Sequence, residues 1–267
     1  MSIKIVDTHA HLDMPEFSSD RDEVIARATE RGVTTIITIG INLESDRRSL
    51  NLAETYAGVL AAIGFHPQES KGVEKEDIEK LWEMAKHPRV VAIGEIGLDF
   101  YRNNAPREDQ LKVLQWQLEL AERVGLPIII HCRQAQEEML PLLRKWSISY
   151  KTPGDEPRGV LHCFNVDLET AERYLEMGFY ISLGAYIGYP SSAKLRETIK
   201  GIPMDKLVIE TDCPFLPPQK YRGKRNEPSY TVITCGVLAE IRQTSLEEIA
   251  RQTTQNASKV FGRKFPG

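Results

Sequence analysis

Residues 5–11 read IVDTHAH, and this stretch decides the fold. A short apolar run, rich in β-branched residues, ends in two histidines spaced i, i+2. In an extended strand, residues two apart face the same side. The imidazoles of His9 and His11 therefore leave one face together and can reach one metal ion. Asp7 has the same parity and is a candidate acceptor behind a ligand histidine. Chemistry gathered at the C-terminal end of a first strand is what a barrel mouth carries.

Outward from this stretch the chain keeps one rhythm, a short apolar run followed by an amphipathic segment. The runs cover residues 3–6, 33–39, 59–63, 90–93, 127–130, 159–161, 179–183 and 207–209. They are mostly continuous rather than alternating, as expected of strands buried on both faces. Helical patterns cover 20–31, 43–57, 75–86, 107–124, 134–146, 167–177, 192–200 and 230–242, with 246–253 and 257–261 as a helical tail. Gly32, Gly125 and Gly178 sit where helices should end. Eight units in 267 residues are about 33 residues each, the size of the repeating unit in a (β/α)8 TIM barrel. The rival is an open doubly wound sheet. No GxGxxG follows the first run, and the clustering of site residues at strand ends decides for the barrel. We expect an α/β chain with one catalytic domain over residues 1–267.

Composition narrows the function. The chain is 41% apolar and 27% charged, which excludes disordered and collagen-like classes. No apolar run approaches the ~20 residues that span a bilayer, so no membrane association is expected. The N-terminus lacks the apolar core of a signal peptide. With 34 basic and 38 acidic residues the net charge is −4, so nucleic acid is not bound by bulk charge. Four cysteines are too few for a disulfide framework and suit a reduced, cytoplasmic chain. They read as core residues, with Cys213, beside Asp212, the one nearest the chemistry. GxSxG and P-loop motifs are absent, which disfavours serine-hydrolase and P-loop chemistry.

Five of the six histidines fall at strand ends: His9, His11, His66 in GFHP, His131 in PIIIHCR and His162 in LHCFN. His87, in AKHPRV, precedes a strand and belongs to the opposite face. Glu95 in GEIGLD can bridge two cations with its two oxygens. Asp99, in the same motif, reads as a solvated loop acid. Asp212 in VIETDCP can bind metal, take a proton from activated water, or do both. Glu210 lies on the same side and reads as support. Nitrogen and oxygen donors without thiolate suit Zn²⁺, Mg²⁺ or Mn²⁺. The metal-ligand set is therefore His9, His11, Glu95, His131, His162 and Asp212, enough for two divalent ions. His66 is then left for the substrate, and Asp212, Glu95 and His66 carry the catalysis.

The segment 213–229 is seventeen residues long, the length of a functional loop. It holds KYRGKR, with Lys220, Arg222, Lys224 and Arg225. On an acidic chain, such a loop beside a metal mouth suggests an anionic substrate. Tyr221 could stack on a base. Phe100-Tyr101-Arg102 repeats the aromatic–basic pairing, and Arg133 shares the parity of His131. The substrate-binding set is His66, Arg133, Arg222, Lys224 and Arg225.

The motifs DTHAHLD, GFHP, GEIGLDFYR, PIIIHCR, LHCFN, ETDCPFLPP and YRGKRNEPSY run from residue 7 to residue 230. In this order and spacing the sequence resembles the TatD family of metal-dependent hydrolases, within the amidohydrolase-like barrels. The tail QTTQNASKVFG is similar to the family's C-terminal helix. The resemblance implies one or two divalent cations and nuclease activity, often 3′→5′ exonuclease activity on DNA. It implies that His9, His11 and Asp212 hold one metal, that His131 and His162 hold the other, and that Glu95 bridges them. It implies that His66 sits near the substrate phosphate. The resulting expectation is a cytoplasmic deoxyribonuclease that attacks single-stranded 3′ ends with a metal-activated water. The alternative is an amide or ester hydrolase on the same centre, such as an aminoacyl-tRNA deacylase. A catalytically idle nucleic-acid binding module is a third reading, disfavoured by the intact ligand set.

Overall fold

The eight apolar runs form eight parallel strands in chain order: β1 (Ile5–Ala10), β2 (Val33–Ile39), β3 (Val59–Ile63), β4 (Val90–Asp99), β5 (Ile128–Arg133), β6 (Gly159–Leu161), β7 (Phe179–Leu183) and β8 (Leu207–Ile209). Helices alternate with them: α1 (Arg21–Glu30), α2 (Leu43–Thr55), α3 (Lys75–Ala85), α4 (Arg107–Val124), α5 (Gln136–Ser149), α6 (Leu168–Glu176), α7 (Ala193–Gly201) and α8 (Thr231–Arg242). A ninth, α9 (Leu246–Val260), follows. This computed structural model describes residues 3–102, 104–149 and 157–266.

Each strand pairs in parallel with the next. The seam between β8 and β1 closes just beyond the strand ends. There the Asp212 N–H donates to the His9 carbonyl and the His11 N–H to the Cys213 carbonyl, both at 2.8 Å. Asp7 staples this seam. Its carboxylate accepts from the Thr211 N–H at 2.9 Å, the Thr211 hydroxyl at 2.6 Å and the His9 N–H at 3.3 Å. It is therefore not the acceptor behind a ligand imidazole that strand parity suggested, because the seam takes both its oxygens. Burial pushes its carboxyl up to about 7.

The barrel interior is filled by Val6, Ile37, Ile39, Leu60, Val91, Ile129, Val160, Tyr180 and Val208. Ala257, Val260, Phe261 and Phe265 join the same cluster and close the barrel from the N-terminal ends of the strands. The tail is one helix rather than two. The polar residues that break its apolar pattern bond to the underside of the barrel: the Thr254 hydroxyl donates to the Lys4 carbonyl, and the Asn256 amide to the Met204 and Leu207 carbonyls.

Strands β1, β4 and β5 run further than their apolar residues, to Ala10, Asp99 and Arg133. The ladder continues where side chains turn from the core to the mouth. Two glycines in β4 allow it to lie close against β5. A Cβ on Gly94 would sit 2.6 Å from the Ile129 Cβ, and one on Gly97, at φ +151°, would sit 1.9 Å from the His131 carbonyl oxygen. Register shifts between Ile93 and Ile96, a bulge that re-aims the intervening Glu95.

Candidate metal centre

The end of β1 supplies the first two donors. His9 and His11 approach with their Nε2 atoms 3.3 Å apart. The His11 Nδ1 faces the Ile39 carbonyl at 3.1 Å. A carbonyl only accepts, so Nδ1 carries the hydrogen and Nε2 presents its lone pair to the centre. Asp212 Oδ1 lies 3.5 Å from the His11 Nε2 and 3.8 Å from the His9 Nε2.

Glu95 stands in the middle. Its Oε2 is 3.5 Å from the His9 Nε2 and 3.9 Å from the His11 Nε2. Its Oε1 is 2.6 Å from the His131 Nδ1 and 3.6 Å from the His162 Nε2. One oxygen thus faces each histidine pair. The His162 ring stacks on His9 with centroids 3.6 Å apart. Glu210, fully buried, sets the orientation of His162. Its Oε2 accepts from the His162 Nδ1 at 3.0 Å and the Ser182 hydroxyl at 2.6 Å, and its Oε1 from the Cys163 N–H at 2.8 Å. With Nδ1 donating to Glu210, the His162 Nε2 faces inward, where a cation would take the place of its proton.

This donor set fits divalent cations. Two ligands about 2.1 Å from one ion lie about 3.0–3.4 Å apart, close to the spacings here. The inward Nε2 atoms of His11 and His162 are gathered with the Glu95 and Asp212 carboxylates, an arrangement that draws positive charge inward, as a proton or as a cation. Three residues form each compact group: His9, His11 and Asp212; His9, Glu95 and His162; and His66, Asp99 and His131. Burial works against charge throughout, and at His11, His131, His162, Glu95 and Asp212 the neighbours outweigh it. The carboxylates of Glu210, Glu95 and Asp212 hold the His162 imidazole up at about 10. His11 and His131 are raised by Asp212 and Glu95 respectively. Surrounding imidazoles, His162 first, hold Glu95 well below the usual carboxylate range and lower Asp212. Burial and His162 lower His9. Both acids are thus ionised at neutral pH, and their charge is balanced by protons on the neighbouring imidazoles that bound cations would displace.

His66 differs from the other five. Its Nδ1 accepts from the Gln68 N–H at 3.1 Å, and burial lowers its imidazole to about 3. The neutral ring then carries its hydrogen on Nε2, 4.0 Å from Glu95 Oε1. A protonated nitrogen is a donor rather than a metal ligand.

Asp99 belongs to the site, not to a solvated loop. It is buried, its Oδ1 accepts from the Tyr101 and Arg102 N–H groups at 3.0 Å, and its Oδ2 lies 3.3 Å from the His131 Nε2. The signal was parity: residues 95, 97 and 99 share a face once β4 is carried through GEIGLD. The cysteine at the centre is Cys163, grouped with His162 and Asp212, rather than Cys213, which packs in the core. His87 lies away from the centre, with its Nε2 3.1 Å from Glu54.

The rim carries the basic residues. The Arg133 guanidinium lies 3.9 Å over the Tyr101 ring, and Arg222 lies 5.2 Å from the Tyr189 ring. Arg222 and Lys224 are exposed. Arg225 is otherwise engaged. Both Asp20 oxygens accept from it, at 2.8 and 2.6 Å, so it anchors the loop instead of waiting for an anion. Asn226, fully buried, braces the same loop by donating to the Thr211 and Phe215 carbonyls at 2.8 and 2.7 Å. Nothing in the sequence pattern marked it.

Comparison with known proteins agrees with this fold. A family model described as TatD related DNase matches residues 6–262. The chain is 39% identical over 257 residues to the Bacillus subtilis (strain 168) protein named uncharacterized metal-dependent hydrolase YabD, covering 96% of this chain and 98% of that one. It is 33% identical over 261 residues to a Klebsiella pneumoniae (strain 342) protein named 3'-5' ssDNA/RNA exonuclease TatD, covering 96% and 97%. The crystal structure of the TatD homolog YjjV from Escherichia coli K12 superposes with a TM-score of 0.90 at 33% identity, covering 99% of this chain and all of that one. The chain belongs to the TatD family of metal-dependent hydrolases.

Proposed function

We propose that this enzyme is a deoxyribonuclease that shortens single-stranded DNA from its 3′ end. The observation that carries the reading is Glu95, which offers one oxygen to His9 and His11 and the other to His131 and His162. A carboxylate so placed suits a pair of cations flanking one phosphodiester. The ligands would be His9, His11 and Asp212 on one side and His131 and His162 on the other, with Glu95 between. Divalent ions held there would polarise the phosphoryl group and make water acidic.

The side chains divide the remaining work. Asp212, ionised and close to three imidazoles, takes the proton of the attacking water. Water oxygen bonds to phosphorus, the bond from phosphorus to O3′ breaks, and O3′ takes up the proton that Asp212 received, so that the strand leaves with a 3′-hydroxyl. The His66 Nε2–H donates to a non-bridging oxygen. Arg133, Arg222 and Lys224 hold the strand. The name of the Klebsiella relative supports the substrate and polarity. Cytoplasmic residence accords with four free cysteines. Among the described residues no helix is long and apolar enough to cross a membrane.

The test is digestion of 3′-labelled single-stranded DNA with Mg²⁺ or Mn²⁺, against a chelator control. Stepwise release of mononucleotides, lost with Asp212→Asn, is the expected result. No cleavage by metal-loaded protein would overturn the reading in favour of amide or ester hydrolysis.

A further inference from the structure

We infer that Phe215 and Tyr101 are two stacking platforms, on opposite sides of the barrel mouth, that hold the unpaired nucleobases flanking the scissile phosphate. The inference rests on the nuclease reading for its substrate but on separate observations for its geometry. Among the described residues, three large apolar side chains are exposed: Tyr101 at 56%, Phe215 at 46% and Ile148 at 74%. Two of the three stand at the mouth. Phe215 follows Asp212 by three residues, and its ring lies 6.0 Å from the His11 ring. Tyr101 follows Asp99 by two residues, and Asp99 accepts its N–H.

Strand order places them across from each other. The sheet runs β1 to β8 in sequence, so the β4–β5 edge, which carries Tyr101 and Arg133, is half a turn from the β8–β1 seam, which carries Phe215. A phosphate over Glu95 lies between the two rings. Its two nucleosides then fall one toward each ring.

The Phe215 backbone and the Tyr101 ring are held in place. Asn226 donates to the Phe215 carbonyl, and the Phe215 N–H donates to the Asp212 carbonyl at 2.9 Å. Arg133 lies under the Tyr101 ring at 3.9 Å, so one face meets a cation and the ring keeps most of its exposure. A braced aromatic ring loses little entropy on binding, and stacking accepts any base. An exposed apolar ring on a fixed backbone has no folding benefit of its own, since neither ring joins the core.

The experiment uses a 5′-fluorescein oligothymidylate with a free 3′ end. Steady-state digestion gives KM and kcat, and anisotropy in Ca²⁺ gives binding without reference to cleavage. Phe215→Ala and Tyr101→Ala should each raise KM and Kd roughly 5- to 150-fold. Their kcat and Tm should stay near wild type, and Phe215→Trp should restore binding. An oligonucleotide with abasic residues at the last two positions should bind wild type as weakly as the Phe215→Ala, Tyr101→Ala double variant binds the intact strand, and show no further loss with either alanine variant. A pure packing role would leave that convergence absent. Unchanged KM and Kd in both alanine variants would overturn the inference. Ring-dependent binding with no cleavage by wild type would remove the nuclease reading and leave the platforms standing.

Discussion

Replacing Glu210 by glutamine isolates what orients the centre from what binds within it. The carboxylate accepts three hydrogen bonds, from the His162 Nδ1, the Ser182 hydroxyl and the Cys163 N–H. Glutamine is nearly isosteric but has one accepting oxygen and one donating amide. If its oxygen keeps His162 and Ser182, its NH2 opposes the Cys163 N–H. A buried donor left unpaired costs about 1–3 kcal/mol. If its NH2 turns to His162, that ring must accept at Nδ1 and carry its hydrogen on Nε2, which removes the lone pair aimed at the centre. Either way the ligand is less well presented. Loss of such a partner typically lowers metal affinity about 10- to 100-fold, or about 1.4–2.7 kcal/mol. Titration calorimetry of chelator-stripped protein with Zn²⁺ or Mn²⁺ reads the affinity, and thermal melting checks the fold. An affinity within about threefold of wild type, in a variant that melts normally, would refute the orienting role.

Three further outcomes follow from particular side chains. Among the described residues Asp46, fully buried, accepts only from the Gly64 N–H, and it is held well above the usual carboxylate range by burial, with Asp13 adding to it. The folded state then keeps a proton that the unfolded chain releases above about pH 4, so this group's contribution falls as pH rises. Asp46→Asn should therefore gain stability relative to wild type between pH 4 and neutrality, read by denaturant unfolding at each pH; a pH-independent difference would contradict it. Arg225→Ala should lose about 0.5–1 kcal/mol or less and speed proteolysis within 213–229, because its Asp20 pair is only partly buried. Equal protease resistance would deny it an anchoring role. Arg222→Ala combined with Lys224→Ala should leave Tm unchanged and lower the salt slope of single-strand binding by about 1.4. An unchanged slope would remove both from the anion contact.

Much of this architecture is legible in the residues. β2, β3, β6, β7 and β8 begin and end where their apolar runs do, because a strand buried on both faces admits little else. The ends of β1, β4 and β5 are not, since the ladder continues through His9, Glu95 and His131 after apolarity stops. That shortfall hid Asp99. Its acid was legible, but its place opposite Arg133 in the β4–β5 register was not. Arg225 shows the converse. Its charge beside a metal mouth suggested an anion contact, yet Asp20, 205 residues away in sequence, already holds it. Ion pairs between distant segments depend on the closed barrel and leave no local pattern. The same holds for Asp7, whose partner Thr211 is reached only when β1 meets the end of β8.

The central claim is that six side chains converge to hold the cations that hydrolyse a phosphodiester. The most direct measurement is metal content per chain, by elemental analysis, and single-strand DNA cleavage on the same preparations of wild type and Glu95→Ala. The account predicts bound divalent metal and cleavage in wild type, with both reduced sharply when the shared carboxylate is gone. Unchanged metal content with undiminished cleavage in Glu95→Ala would contradict it.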